Sequence, residues 1–352
     1  LAKNSSFGSK VFKSFLIIFL LVAAVAGYYA YKTIFKSNVY LDGKKSKIVY
    51  IRTGSTYEDM IAELYEQNTI VDHASFEWLA GRMDLKNNFK PGRYRILANM
   101  SNREFINLLK YGKQEKVKLT LLPSDRTSGQ LIEKISNKLE IEKDELEDFF
   151  DDETMINDRT GLNEETVRTL FIPGTYELEW TTHFDEFLAL MQAEYKKVWT
   201  EERKAKAKKL NLSQSEVSIL ASVVQCESGI GSEQTKIAGV YLNRIKKEMP
   251  LQADPTLIYA LGDFTIQRVR NGDKDINSPY NTYRYRGLPP GPICLPYIKT
   301  IDAVLAYTKH NYIFFCAKPD LSGYSDFSAT YEQHQKFAAA YQKEMDRRGI
   351  KR

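Results

Sequence analysis

The chain has 352 residues, 50 of them Lys or Arg and 45 Asp or Glu, for a net charge of +5, and 43% are hydrophobic. This balance excludes whole-chain disorder, and the length suits about two to three domains with at least one sizeable core. Three cysteines exclude a small disulfide scaffold, and a charge this mild, with no basic stripe interleaved with aromatics, gives no argument for nucleic acid.

Residues 14–31 carry no charge and are almost wholly apolar. As a helix they rise about 27 Å, close to the hydrocarbon thickness of a bilayer. Lys3, Lys10 and Lys13 precede the run, and Lys32 and Lys36 follow it, where their stems can snorkel to the far interface. The expectation is a signal anchor over residues 14–33, with residues 1–13 in the cytoplasm and the rest outside it. A cleaved signal peptide is the rival, because Ala24-Val25-Ala26 has small residues at cleavage spacing, yet the apolar run continues to Tyr31. An extracytoplasmic compartment permits a disulfide among Cys226, Cys294 and Cys316 without requiring one, and the three are read as buried thiols.

Between residues 48 and 135 a strand-turn-helix pattern occurs three times. The first copy runs Ile48-Val49-Tyr50-Ile51, turns at Thr53-Gly54-Ser55, and continues with Met60, Ile61 and Leu64 at helical spacing. The second begins at Gly92 and enters its helix at Ser101, with Phe105, Ile106, Leu108 and Leu109 inside. The third starts at Val117, turns at Pro123-Ser124-Asp125 and buries Leu131, Ile132 and Ile135. Such units predict an α+β fold. Residues 140–153 are acidic and helical in pattern, with Ile141, Leu146, Phe149 and Phe150 on an inner face; residues 196–209 read as a basic surface helix.

The chemistry-bearing region begins at Ser213. Ser213 and Glu216 have capping-box spacing, and Val217, Leu220, Val223 and Val224 follow on one helical face. Glu227 lies three residues after Val224 and four after Val223, so it sits at the end of the apolar stripe, before Gly229 and Gly231 stop the helix. A carboxyl group held among apolar neighbours is desolvated, which raises its pKa as a general acid working near neutral pH requires. The bland alternative is a structural carboxylate satisfied by Arg244 or by backbone donors.

Residues 221–229 read ASVVQCESG; downstream come SEQTKIAGVYLNRI (232–245), LQADPTLIY (251–259), YNTY (280–283) and GLPPGPI (287–293). Together, in this order and spacing, these motifs resemble the endolytic murein transglycosylases of the YceG-like family. The resemblance implies a single N-terminal transmembrane helix, a small LysM-like βα module over residues 40–116, and a mixed α+β catalytic domain with a glycan cleft over residues 117–345, its core motifs lying in 213–334. It implies lytic cleavage of the β-1,4 bond between N-acetylmuramic acid and N-acetylglucosamine in nascent peptidoglycan, with Glu227 first protonating the glycosidic oxygen and then taking the proton of the muramoyl C6 hydroxyl as a 1,6-anhydro ring closes. It also implies termination of glycan elongation. Ordinary glycoside hydrolysis generally uses a second carboxylate, a need that intramolecular attack removes.

For the substrate contacts the resemblance, together with residue type, points to Glu233, Gln252, Asp254, Tyr280, Asn281 and Tyr283. Glu233 either binds sugar hydroxyls, tunes Glu227 through like-charge repulsion, or caps the next helix with Ser232. Pro255 is expected to hold Asp254 extended, aimed into a groove. Tyr280, Asn281 and Tyr283 bring phenol and amide groups suited to N-acetyl and hydroxyl recognition, and the segment from Gly287 is expected to form a rigid wall. Residues 312–316 read as a buried strand and His334 as a residue of the closing helix.

The implied setting is the bacterial inner (plasma) membrane with the catalytic domain periplasmic, glycan strands and peptidoglycan synthases as partners, and neither metal nor organic cofactor. The chain departs from the commoner family pattern at Gln225, where an acidic residue usually stands, and has Cys226 between it and Glu227. Two rivals stay open: an inactive glycan-binding scaffold, motivated by Gln225, and a hydrolytic muramidase pairing Glu227 with Asp254 or Glu233.

Overall fold

The computed structural model describes residues 5–266 and 269–348. Helix α1 (Ser5–Phe35) opens the chain. Its stretch Ser9–Phe35 contains an 18-residue window with a mean hydropathy of 2.2, none of it buried, consistent with a membrane span. A helix satisfies its own backbone polar groups, which is what an apolar segment in lipid requires.

The chain then divides into two units, the first comprising residues 5–117 with 177–182. Beyond α1 it holds β1 (Ser46–Ile51), α2 (Tyr57–Glu66), α3 (His73–Arg82), β2 (Gly92–Leu97) and α4 (Asn102–Tyr111). β1 and β2 are antiparallel, with Ser46 opposite Leu97 and Ile51 opposite Gly92. Val49, Ile51, Tyr94 and Ile96 alternate inward onto Met60, Leu64, Phe76, Phe105 and Leu109. Each such side chain contributes about 1.5–3 kcal/mol when fully buried. Capping boxes at Thr56 with Asp59 and at Ser101 with Glu104 start α2 and α4, at the turns expected from sequence. Helix α3, which the sequence pattern did not reveal, is started by the Asp72 side chain and buries Phe76, Leu79 and Ala80. Asn102 ties the end of α1 to this unit by donating to the Thr33 carbonyl.

The second unit comprises residues 118–176 and the chain from 183 onward. Elements in this part of the sequence are β3 (Val117–Leu121), α5 (Ser128–Ser136), α6 (Lys143–Asp151), α7 (Glu153–Thr160), β4 (Gly174–Leu178), α8 (Phe184–Val198) and α9 (Glu201–Lys209). Then follow α10 (Gln214–Glu227), α11 (Gly231–Lys246), α12 (Asp254–Leu261), α13 (Ile298–Leu305), β5 (Phe314–Ala317), β6 (Ser325–Ser328) and α14 (Tyr331–Arg347). β3 pairs with β4 and β5 with β6, so the fold is α+β with two-stranded sheets. The core is helical: Val217, Leu220, Val223 and Val224 of α10 meet Ile237, Ala238 and Tyr241 of α11 and Ile301 and Val304 of α13.

Two expectations change in detail. The basic segment 196–209 is not one surface helix, because Trp199 turns into the core at 2% exposure and Thr200 caps a fresh helix, α9, through the Arg203 amide. The strand expected over 312–316 is the shorter β5, half-buried because it belongs to a ribbon of two strands.

Candidate active site

The site begins at the C-terminal end of α10. Ser213 and Glu216 close the expected capping box, and eight consecutive residues from Val217 to Val224 are buried. The helix ends on Glu227, whose follower Ser228 donates its amide to Val224. Burial of the preceding turns fixes where this last side chain projects.

Glu227 keeps part of its surface open to a cavity of about 290 Å³ while protein surrounds its carboxyl group. That dehydration pushes the carboxyl pKa from 4.5 up to about 7, opposed by a hydrogen bond from Tyr241 and reinforced by the nearby Asp254 charge. Tyr241, 1% exposed on α11, donates to Glu227 Oε1 at 2.6 Å. Its ring is held edge-on by Phe315 with centroids 6.0 Å apart. With Oε1 engaged, Oε2 is the oxygen left for a ligand. The Tyr241 hydroxyl is itself held well above the ordinary tyrosine range by burial and by the carboxylate beside it, so it remains a donor.

Arg244 is one helical turn from Tyr241 and also borders the cavity. It does not satisfy Glu227 directly: Nε donates to the Ile313 carbonyl at 2.7 Å and Nη1 to that of Leu251 at 2.7 Å, with Pro250 at 3.2 Å. Its guanidinium thereby links α11 to the residue that leads into β5 and to the segment before α12. It acts on Glu227 only through its charge, which favours the carboxylate form.

The opposite wall is a clasp between two loops. Gln252 donates its amide to the Thr282 carbonyl and Ala253 to the Thr282 hydroxyl, each at 3.0 Å, and the Thr256 and Thr282 hydroxyls lie 2.8 Å apart. The clasp brings Tyr283 onto Asp254, whose Oδ1 accepts the phenol's hydrogen bond. Asp254 is not extended as expected from its following proline. It is the first residue of α12, where Pro255 costs no intrahelical hydrogen bond. Gln252, Asp254 and Tyr283 all line the Glu227 cavity.

The other residues singled out from sequence lie elsewhere. Glu233 is 3% exposed at the start of α11, and its carboxylate accepts the Ser325 amide at 2.8 Å. Tyr280 packs on Tyr259 with centroids 4.6 Å apart, and burial pushes its phenol up to about 12. Asn281 is fully buried; its Nδ2 donates to the Lys274 and Ile276 carbonyls, and its Oδ1 accepts the Tyr283 and Arg284 amides. It shapes the loop that presents Tyr283. Gly291 lets its segment pack closely, since a Cβ there would come within 2.1 Å of the Glu165 carbonyl oxygen.

Tyr241 was missed by sequence reasoning because a tyrosine in an apolar helical stripe reads as core; its spacing from Arg244 was the available signal. Phe314, Tyr331 and His334 complete the cavity. His334 stacks on Phe314 with centroids 5.1 Å apart, and burial together with Arg244 lowers its pKa, favouring the neutral imidazole. Among the described residues, no group of three or more His, Cys, Asp or Glu side chains is arranged to hold a metal ion.

The YceG-like family model matches residues 49–340, and the chain belongs to that family. It is 27% identical over 331 residues to an endolytic murein transglycosylase of Bacillus subtilis, covering 90% of this chain and 91% of the relative. An endolytic murein transglycosylase of Streptococcus pneumoniae is 26% identical over 342 residues, covering 88% of this chain, which spans 61% of that relative's length. The fold is similar to the 2.6 Å crystal structure of a Listeria monocytogenes protein described as YceG-like, with a TM-score of 0.57 and 24% identity over 84% of this chain and 99% of the other.

Proposed function

We propose that this protein is an endolytic lytic transglycosylase that cuts nascent peptidoglycan between N-acetylmuramic acid and N-acetylglucosamine, with Glu227 as the single acid and base. The observation that carries the reading is a carboxyl group with a pKa of about 7, one oxygen held by Tyr241, on a residue that lines a cavity with Gln252, Asp254 and Tyr283. The names of the bacillary and streptococcal relatives support it.

Protonated Glu227 gives its proton to the glycosidic oxygen as the bond to the muramoyl C1 breaks. The resulting carboxylate takes the proton of the C6 hydroxyl while that oxygen closes onto C1, leaving a 1,6-anhydro end and consuming no water. A group with pKa near the working pH serves both steps. Gln252, Asp254 and Tyr283 would contact sugar hydroxyl and N-acetyl groups. Tyr280, Asn281 and Glu233 are proposed to act from behind, holding the walls. In the same reading α1 anchors the chain in the inner membrane with the catalytic part outside the cytoplasm, residues 40–116 form a LysM-like module, residues 117–345 carry a glycan cleft, and peptidoglycan synthases are partners whose strands are terminated by the cut.

A hydrolytic muramidase is the second reading, favoured by Asp254 sharing the cavity with Glu227. Mass spectrometry of products from isolated sacculi separates the two, since an anhydro end is lighter than a reducing end by one water. Glu227→Gln should abolish product while retaining the fold. Reducing ends would favour hydrolysis, and undiminished anhydro product from the variant would refute the role of Glu227.

A further inference from the structure

Cys226 and Cys294 stand 68 positions apart in sequence, yet their Sγ atoms lie 3.1 Å from one another. Cys294 is fully buried, and its thiol also reaches the Ser222 carbonyl of α10 at 3.4 Å. The adjacent Ile293 amide donates to the Ser222 hydroxyl at 3.0 Å, which fixes this segment along the helix. Cys226 is partly open to solvent. We infer that Cys226 and Cys294 are a disulfide-forming pair that staples the end of the helix carrying Glu227 to the segment around residue 294.

Closing the bond requires the sulfurs to approach by about 1 Å in total, from 3.1 Å to the length of a disulfide, a shift small enough for side-chain rotation. The order of events follows from exposure. Cys226 loses a proton, and its thiolate attacks one sulfur of an external disulfide, expelling that reagent's first thiolate and forming a mixed disulfide. Cys294 then loses a proton and attacks Cys226 Sγ, expelling the second thiolate. Two protein thiols give up two protons and two electrons, and one external disulfide becomes two thiols. The contact between the two sulfurs lowers the Cys226 thiol against the upward push of burial, so Cys226, the more open of the pair, starts the exchange, and Cys294, held far above the ordinary range by the same contact and by burial, completes it. Cys316, on β5, serves as the internal control.

The staple closes a long loop, which restricts the unfolded chain more than the folded one. The full-length protein in detergent would be treated with oxidised glutathione, alkylated and digested without reduction. The expected result is a cross-linked pair of peptides bearing Cys226 and Cys294, two hydrogens lighter than their sum, with Cys316 alkylated. The cross-linked protein should melt about 5 °C or more higher, reversibly with dithiothreitol. Cys316→Ser and Glu227→Gln should both cross-link like the parent, which separates this inference from the reaction assigned to Glu227. Alkylation or glutathione adducts on both Cys226 and Cys294, or a cross-linked form that melts no higher than the reduced one, would overturn it.

Discussion

The Tyr241 hydroxyl donates to Glu227 Oε1 at 2.6 Å, joining α11 to the last residue of α10 through a buried phenol and a carboxyl group at the edge of the cavity. This contact has two consequences that pull apart in experiment. It stabilises the charged carboxylate, opposing the upward push of burial, and it engages one of the two carboxylate oxygens, leaving the other for a ligand. In Tyr241→Phe the carboxyl pKa should therefore rise further, moving the alkaline limb of the rate profile to higher pH. The rate at neutral pH should fall about 10- to 100-fold, the cost of a hydrogen bond to a charged group. Pre-steady-state pH profiles of the variant would test this, and an alkaline limb that moves downward would count against it.

The same carboxyl group makes stability depend on pH, with a sign opposite to that of an ion-paired acid. Its pKa is about 7 in the folded protein against 4.5 for the ordinary group, so the folded state binds the extra proton between those values. Stability then falls as pH rises from about 4.5 to 7, by at most about 3 kcal/mol, and is flat on either side as far as this group is concerned. Glu227→Gln keeps an oxygen for Tyr241 and carries no charge. It should match the parent's melting temperature near pH 4 and exceed it by several degrees at pH 8. Calorimetry at the two pH values reads the difference.

Asn281 illustrates how residue type can point to the right loop and the wrong contact. An amide in a motif beside two tyrosines reads as an N-acetyl ligand, yet all its hydrogen-bonding capacity is spent on Lys274, Ile276, Tyr283 and Arg284. Asn281→Ala would orphan buried carbonyls and amides and should destabilise the protein by about 2–4 kcal/mol. Activity should fall as well, because Tyr283 loses the loop that holds it on Asp254. An unchanged denaturation midpoint would contradict the internal role.

The legible parts of this protein are those encoded locally. The turn at Thr53-Gly54-Ser55, the helix entry at Ser101, the capping box at Ser213 and the apolar spacing from Val217 to Val224 predict α2, α4 and α10 near their starts, and the position of Glu227 follows from that spacing. The clasp of Thr282 with Gln252, Ala253 and Thr256 is not encoded locally, because it joins loops almost thirty residues apart through a hydroxyl that could serve any surface turn. Tyr241 was hidden for a related reason: only the fold shows that its polar tip meets the end of the preceding helix. The break at Trp199 escaped because charge pattern describes a wet face and says nothing of one large side chain turning inward.

Gln225, the residue that motivates the scaffold rival, lies outside the lining of the Glu227 cavity and enters a polar seam between three helices. The Thr300 hydroxyl lies 2.7 Å from Gln225 Oε1 and 3.1 Å from Gln234 Oε1, and Gln234 Nε2 donates to the Ser228 carbonyl. A hydroxyl has one proton, so it cannot donate to both amide oxygens. Turning the Gln225 amide satisfies every member: its Nε2 donates to Thr300, Thr300 to Gln234, and Gln234 to Ser228. A carboxylate at 225 can only accept, so Gln225→Glu would take the Thr300 proton and leave buried Gln234 Oε1 without a donor, costing about 1–3 kcal/mol. Because none of these three side chains borders the cavity, turnover should stay within about threefold of the parent's. Thermal denaturation and product analysis of this variant together discriminate between the readings: an inert parent that gains activity on acquiring the acid would favour the scaffold rival, while a less stable but comparably active variant would assign Gln225 to packing and leave the chemistry with Glu227.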